Sequence, residues 1–255
     1  MKLLSRGATS IVLTPAGNDL LPKAERTLEA FGEFVECAKS QRGKIGGQLT
    51  IGIVMFDPTD IRLAAFVRQV TDRYPGIRLN LQVGRNSSFK EAVRSGKLDG
   101  AIAVSRSHDP SLAETLLQEI QFNVVIPSCW QVPSGDELQT ALGSLPWIRM
   151  RPGSPHNEMI LEILNRKGIK PIETVEVDHE AVIQALVSEG IGIGLLRKSL
   201  ALEQQRAGRL IVLSDYYATA RLTFVYAADR TADRAIGAIV DCLTSIWNGA
   251  SEGDT

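Results

Sequence analysis

From Leu49 onward the chain repeats one rhythm, a short apolar strand pattern followed by a helical pattern and another strand. Leu49, Ile51 and Ile53 alternate, a helical stretch covers about 59–73, and Tyr74-Pro75-Gly76 ends it. Ile77, Leu79, Leu81 and Val83 alternate again, and a short helix near 88–95 leads to the apolar run Ala101-Ile102-Ala103-Val104. A tight turn cannot join parallel neighbours, so strands linked through helices predict a parallel sheet with helical cover. A second series opens at Asn123-Val124-Val125-Ile126 and, after a loop rich in Pro, Ser and Gly, continues at Trp147-Ile148-Arg149. It then reads as helix 156–167, strand 174–177, helix 179–189, strand 191–195, helix 198–206 and strand 210–213. A last strand at 222–226 and a helix at 231–247 return to the first series. The economical arrangement is two α/β lobes with a cleft between them.

Ahead of this lies a different pattern. Ser5-Arg6-Gly7 reads as a turn and Ile11–Leu13 as a very short strand. Thr14 suits an N-cap and Pro15 the first helical position, so a helix runs from Pro15 to about Gln41. Within it Leu21, Ala24, Leu28, Phe31 and Val35 recur at heptad spacing, the seam by which two helices pair. The other reading is one amphipathic helix lying on its own domain. Pro22 and Gly32 loosen the helix, and 41–47 reads as a polar, glycine-rich linker.

Several function classes fall away. The net charge of −1 gives no electrostatic footprint for nucleic acid. Cys37, Cys129 and Cys242 have no metal-type spacing and read as reduced thiols of a cytoplasmic protein. No signal-peptide pattern and no apolar run of membrane-spanning length occurs. Serine-hydrolase elbow, zinc-protease and P-loop motifs are absent, and His108, His156 and His179 stand apart in sequence, so no catalytic group, metal or cofactor is expected. Gly190-Ile191-Gly192-Ile193-Gly194 lacks the third glycine of a dinucleotide fingerprint and reads as a tight helix-to-strand turn.

Ligands of open α/β sheets settle beyond the carboxyl ends of strands. Met55-Phe56-Asp57-Pro58-Thr59 follows the first strand and opens its helix, and Arg151-Pro152-Gly153-Ser154-Pro155-His156 stands likewise before a helix in the second series. Candidate ligand contacts are therefore Met55, Phe56, Asp57 and Thr59 from one side and Ser154 and His156 from the other, with Arg85, Asn86 and Ser105 at further strand ends. The alternative is that Thr59 and Ser154 merely cap helices. Helix N-termini, hydroxyls and Arg85 favour a small carboxylate, while Asp57 favours an amine or hydroxyl on it. An amino or hydroxy acid suits both.

Val12-Leu13-Thr14-Pro15-Ala16-Gly17, Gly47-Gln48-Leu49-Thr50-Ile51-Gly52, Arg73-Tyr74-Pro75-Gly76-Ile77, Ser95-Gly96-Lys97-Leu98-Asp99-Gly100 and Val187-Ser188-Glu189-Gly190-Ile191-Gly192 occur in that order. Together they resemble the LysR-type transcriptional regulators, over nearly the whole chain. The resemblance implies a two-lobed α/β domain of the periplasmic-binding-protein type (type 2) behind a long linker helix. Residues 1–14 would be the wing remnant of a winged helix-turn-helix and 15–46 the linker and dimerisation helix. Residues 47–250 would be the effector-binding domain, with lobe I at 47–120 and 222–247 and lobe II at 121–221. The implied partners are a small-molecule effector in the cleft and a second copy, as homodimer or tetramer. DNA would be reached only through an N-terminal head ahead of Met1, in the cytoplasm and away from membranes. A solute-binding protein or an enzyme on the same bilobed fold is the rival expectation.

Overall fold

The computed structural model describes residues 2–6, 11–40, 45–133 and 135–248. Helix α1 (Pro15–Ser40) begins where its cap dictates, since the Gly17 N–H donates to Thr14 Oγ1 at 3.1 Å. From Leu21 to Phe31 its apolar stripe does not rest on the domain that follows. Leu21, Ala24, Leu28 and Phe31 are all exposed, Leu28 at 72% and Phe31 at 64%, and Val35 is half-buried. Over that stretch, the reading of one amphipathic helix lying on its own domain is corrected.

Strands β1 (Leu4–Arg6) and β2 (Ile11–Leu13) pair antiparallel, so Ser5 and Arg6 belong to a strand rather than to the expected turn. Gly7 and the linker residues 41–44 lie outside the described residues. Gly46 and Gly47, assigned to the linker, instead open a strand, because backbone pairing to Gly76 and Ile77 extends the ladder past the last apolar side chain.

Six strands form the main sheet: β3 (Gly46–Val54), β4 (Gly76–Gly84), β5 (Gly100–Ser105), β6 (Leu112–Pro127), β9 (Gly194–Arg197) and β10 (Leu210–Ala227). Their order is β4-β3-β5-β10-β6-β9. Parallel pairing holds for β3 with β4 and β5, as expected, but β10 runs antiparallel to both β5 and β6, and β6 antiparallel to β9. The sheet is mixed, a correction to the wholly parallel one. The two apolar runs at 210–213 and 222–226 are parts of one long strand, whose register against β6 shifts between Leu213 and Tyr217. Polar residues interrupt the run in sequence, whereas the backbone ladder continues through them. Strands β6 and β10 thus pass from one lobe into the other. In the second lobe β7 (Pro146–Met150) and β8 (Ile172–Val177) form a further parallel pair, and Trp147 bridges to Ile193.

Helix α2 (Leu63–Arg73) starts later than the expected 59, because Arg62 sits at φ 49°, outside helical space. Its guanidinium donates to the Ile246 carbonyl at 2.8 Å and stands over the Trp247 ring, which ties this start to α8 (Arg234–Asn248). Helices α3 (Asn86–Arg94), α5 (Pro155–Lys167) and α7 (Lys198–Arg206) fall close to their expected places, while α6 (Glu180–Ser188) has His179 as its N-cap. Helix α4 (Asp136–Ser144) occupies what reads as a loop. Its buried Leu142 joins the core, and its carbonyl accepts from the Trp147 indole at 2.9 Å. Tertiary burial decides that helix.

Phe66 and Val70 of α2 and Ile236, Ile239 and Leu243 of α8 cover the first lobe's sheet at Ile51, Ile102 and Phe224. Ile183 and Val187 of α6 pack with Val125, Leu196 and Leu210 in the second. A Cβ on Gly194 would lie 2.3 Å from the Ile183 methyl, and Gly190 has φ 78° after α6. Close packing and a left-handed turn account for the glycine run. Among the described residues no helix is long and apolar enough to cross a membrane.

Candidate functional site

Parallel strands joined through helices place strand carboxyl ends and helix N-termini on the same side of a sheet. Here β3, β4 and β5 of one lobe and β7 and β8 of the other open onto one cleft, edged by the N-termini of α3, α5 and α6. It holds a cavity of about 210 Å³. An apolar cavity of roughly 150 Å³ accommodates a benzene-sized molecule, so the space suits a small metabolite. Val54, Met55, Phe56, Phe122, Met150 and Met159 supply apolar wall.

Met55, Phe56, Arg85, Asn86, Ser154 and His156 line this cavity, whereas Asp57, Thr59 and Ser105 do not. Asp57 is exposed and accepts the Thr59 N–H at 2.8 Å, the contact that draws its carboxyl below the usual aspartate value. Thr59 neither opens nor caps α2, since the helix begins beyond it. Ser105 is buried within the first lobe, where its hydroxyl meets the Ser107 carbonyl and Glu114.

Of the six that line the cavity, Ser154 and Asn86 have their polar atoms engaged by backbone groups on both the donor and the acceptor side. Ser154 accepts from the Asn157 N–H at 3.1 Å and donates to the Arg151 carbonyl at 2.9 Å, which makes it the cap of α5. The Asn86 amide holds both the N–H and the carbonyl of Val104, at 2.6 and 2.8 Å. Arg85 reaches across the cleft to Asp178 at 2.6 Å, and both side chains remain partly exposed. His156 is 6% exposed, with Nε2 2.8 Å from the Leu195 carbonyl and Phe122 packed edge-on at 6.0 Å. Burial pushes its imidazole below the usual histidine pKa, against weaker upward pulls from the Leu195 carbonyl and Glu180.

A buried ion pair at the edge of the cleft, Arg197 with Glu180, escaped sequence reasoning. Arg197, at the end of β9, is 5% exposed. Its Nε donates to Glu180 at 2.7 Å, its backbone N–H to the same carboxylate at 2.6 Å, and one terminal nitrogen pairs with Asp60. The guanidinium stands 4.1 Å from the Phe56 ring centroid. Asp60 and Phe56 belong to the first lobe, Arg197 and Glu180 to the second. Burial works against the arginine's charge, yet Glu180 and Asp60 outweigh it and raise the pKa further. The sequence signal was slight, one arginine closing the apolar run Gly194-Leu195-Leu196. Asp178 and His179 were more accessible, since the strand-end rule that picks Arg85 also picks the residues after Val177.

Among the described residues no group of three or more His, Cys, Asp or Glu is placed to hold a metal ion. The cleft presents an apolar floor with charges of both signs at its rim, an arrangement for holding a small polar molecule.

Comparison with known proteins bears on what is held. The family model described as LysR substrate binding domain matches residues 42–247. The chain is 27% identical over 242 residues to the HTH-type transcriptional regulator GltR of Bacillus subtilis (strain 168), covering 94% of this chain and 80% of GltR. Among solved structures it is similar to a hydrogen-peroxide-bound cysteine-to-serine mutant of Corynebacterium glutamicum OxyR, with TM-score 0.66, 24% identity and 100% and 83% of the two chains covered. The effector binding domain of QuiR in complex with shikimate gives TM-score 0.67 at 17% identity, with 80% of this chain and 98% of that one covered. At these identities the structural likenesses establish the fold.

Proposed function

The chain belongs to the family of LysR substrate-binding domains, and from that premise we propose that it senses a small carboxylate, an amino or hydroxy acid, held in the interlobe cleft. Effector domains of this family bind small molecules and serve transcriptional regulators rather than enzymes. One observation carries the finer reading: an apolar cavity with Arg85 of one lobe and Asp178 of the other facing each other at 2.6 Å. A carboxylate suits Arg85 and the N-terminus of α5, while an amine or hydroxyl suits Asp178. Met55, Phe56, Arg85, Asn86, Ser154 and His156 form the site in this reading, joined by Arg151, Asp178 and Glu180. Asp57, Thr59 and Ser105 are left out of it.

The effector domain extends over 47–250, and a ligand that contacts both lobes favours their closed arrangement in proportion to its differential affinity. Helix α1 passes the change onward. Its exposed seam pairs two copies into a homodimer, the unit from which a tetramer is built, and DNA is reached through N-terminal heads in the cytoplasm.

Thermal-shift screening of small acids, amino acids and hydroxy acids tests the assignment. A ligand at 100 times its Kd adds roughly 2.7 kcal/mol, about 5–10 °C for a domain of this size. We expect Arg85→Ala to abolish most of that shift. A shift that survives this change puts the ligand elsewhere.

A further inference from the structure

We infer that His156 selects the effector as a hydrogen-bond acceptor: the bound acid donates a hydroxyl or amino hydrogen to Nδ1, and acids without such a donor are discriminated against. This rests on the cleft being the effector site and identifies the atom that distinguishes one acid from another.

The argument begins with Nε2. It lies 2.8 Å from the Leu195 carbonyl, an oxygen that only accepts, so Nε2 carries the hydrogen. The neutral ring then bears a lone pair on Nδ1, and that atom is buried without a hydrogen-bond partner among the described residues. Buried polar atoms are nearly always satisfied, and an orphan in a cavity wall points to a partner that arrives from the cavity. His156 is one of the residues of that wall, with Phe122 and Met159, and because Nδ1 itself has almost no exposed surface the ligand meets it through a small shift of the ring. A second proton would reverse the requirement, but burial disfavours the charged ring, and Glu180, the carboxylate that would support it, is bonded to Arg197.

Of the neighbouring acceptors, Asp178 is paired with Arg85 and three uncharged ones each already hold a backbone N–H. Ser154 Oγ receives the Asn157 N–H, Asn86 Oδ1 the Val104 N–H, and His179 Nδ1 the Ala181 N–H at 3.0 Å. A carboxylate oxygen facing Nδ1 would set lone pair against lone pair. The carboxylate is therefore drawn to Arg85 and the N-terminal amides of α5, and a separate donor on the same molecule meets His156.

The test uses the full chain with two matched probe sets, the three hydroxybenzoates against benzoate and lactate against propionate. Affinities come from calorimetry, and ¹⁵N-histidine spectra follow the ring, with His156 assigned by its loss in His156→Gln. We expect the free protein to show a protonated Nε2 and a bare Nδ1. At least one hydroxylated acid should bind tenfold or more tightly than its parent and shift the Nδ1 resonance. His156→Gln keeps a nitrogen donor for the Leu195 carbonyl but removes the Nδ1 acceptor, so the preference should collapse to within about twofold. His156→Asn returns an acceptor near the Nδ1 position and should restore part of it, whatever it does to stability.

A proton on Nδ1 in the free protein overturns the inference, as does a preference that survives His156→Gln. Parent and hydroxylated acids that bind equally, with losses of binding in Arg85→Ala, overturn it while leaving the cleft assignment intact. If no probe binds, or binding ignores Arg85→Ala, the cleft assignment fails and the inference fails with it.

Discussion

At the scale of residues, the cleft is governed by which polar groups are already satisfied. Ser154 and Asn86 were attractive as hydroxyl and amide, yet their atoms are bonded to backbone, and the local structure needs them there. Arg197 is the reverse case, an ion held between two carboxylates and almost out of water. Removing one member of a buried ion pair leaves its partner's charge unpaired, at a cost of about 3–5 kcal/mol. We expect Arg197→Met to lose stability on that scale in urea unfolding, and Arg197→Met with Glu180→Gln to regain most of it. A double variant no more stable than Arg197→Met alone would show that the Phe56 stacking or the Asp60 contact, rather than the stranded Glu180, sets the cost.

At the scale of elements, α1 poses the clearest question. A helix whose apolar stripe is exposed from Leu21 to Phe31 gains nothing from that stretch until something covers it, and Leu28 and Phe31 are more open than Leu21. Phe34, exposed at 69%, flanks the seam and enlarges the apolar face beyond the heptad positions. A second α1 is the covering surface we propose. In light scattering over a dilution series, Leu28→Asp should weaken self-association at least tenfold, because a buried carboxylate without a partner is costly. Thermal unfolding of the lobes should change little. An unaltered mass profile would mean that copies of the chain pair through other surfaces.

At the scale of the whole molecule, two long strands and several ion pairs among the described residues connect the lobes. β6 and β10 cross together, and the register shift between Leu213 and Tyr217 marks where the ladder loosens. Arg85–Asp178, Arg106–Glu162 and Arg197–Asp60 each join an element of one lobe to an element of the other. The first two are water-accessible, and such pairs contribute roughly 0–1 kcal/mol each. In the sensor we propose, they bias lobe closure more than they hold the fold. Arg85→Ala with Arg106→Ala should therefore leave the unfolding midpoint almost unchanged. It should also broaden the distance distribution between spin labels at Lys90 and Lys170, in a background with Cys37 and Cys129 replaced by serine. An unbroadened distribution would place control of closure in the buried Arg197 pair and the paired strands alone.

Local pattern was enough to set the α/β class, the long first helix with its Thr14 cap and the boundaries of α5 and α7. It also picked the strand ends from which a cleft is made. These are legible because periodicity, capping and turn chemistry act within a few residues of one another. The rest came from contacts between distant stretches of chain. They joined 210–213 to 222–226 in one crossing strand, since ladder bonds to β6 act on the backbone whatever its side chains. They drew α4 out of an apparent loop through the burial of Leu142, and delayed α2 to Leu63 by fastening Arg62 to Ile246 and Trp247. They also brought Asp60, Glu180 and Arg197 together from three separate stretches of chain. Charge pairing at that sequence separation leaves no local pattern, because its energy depends on a distance that exists only after folding.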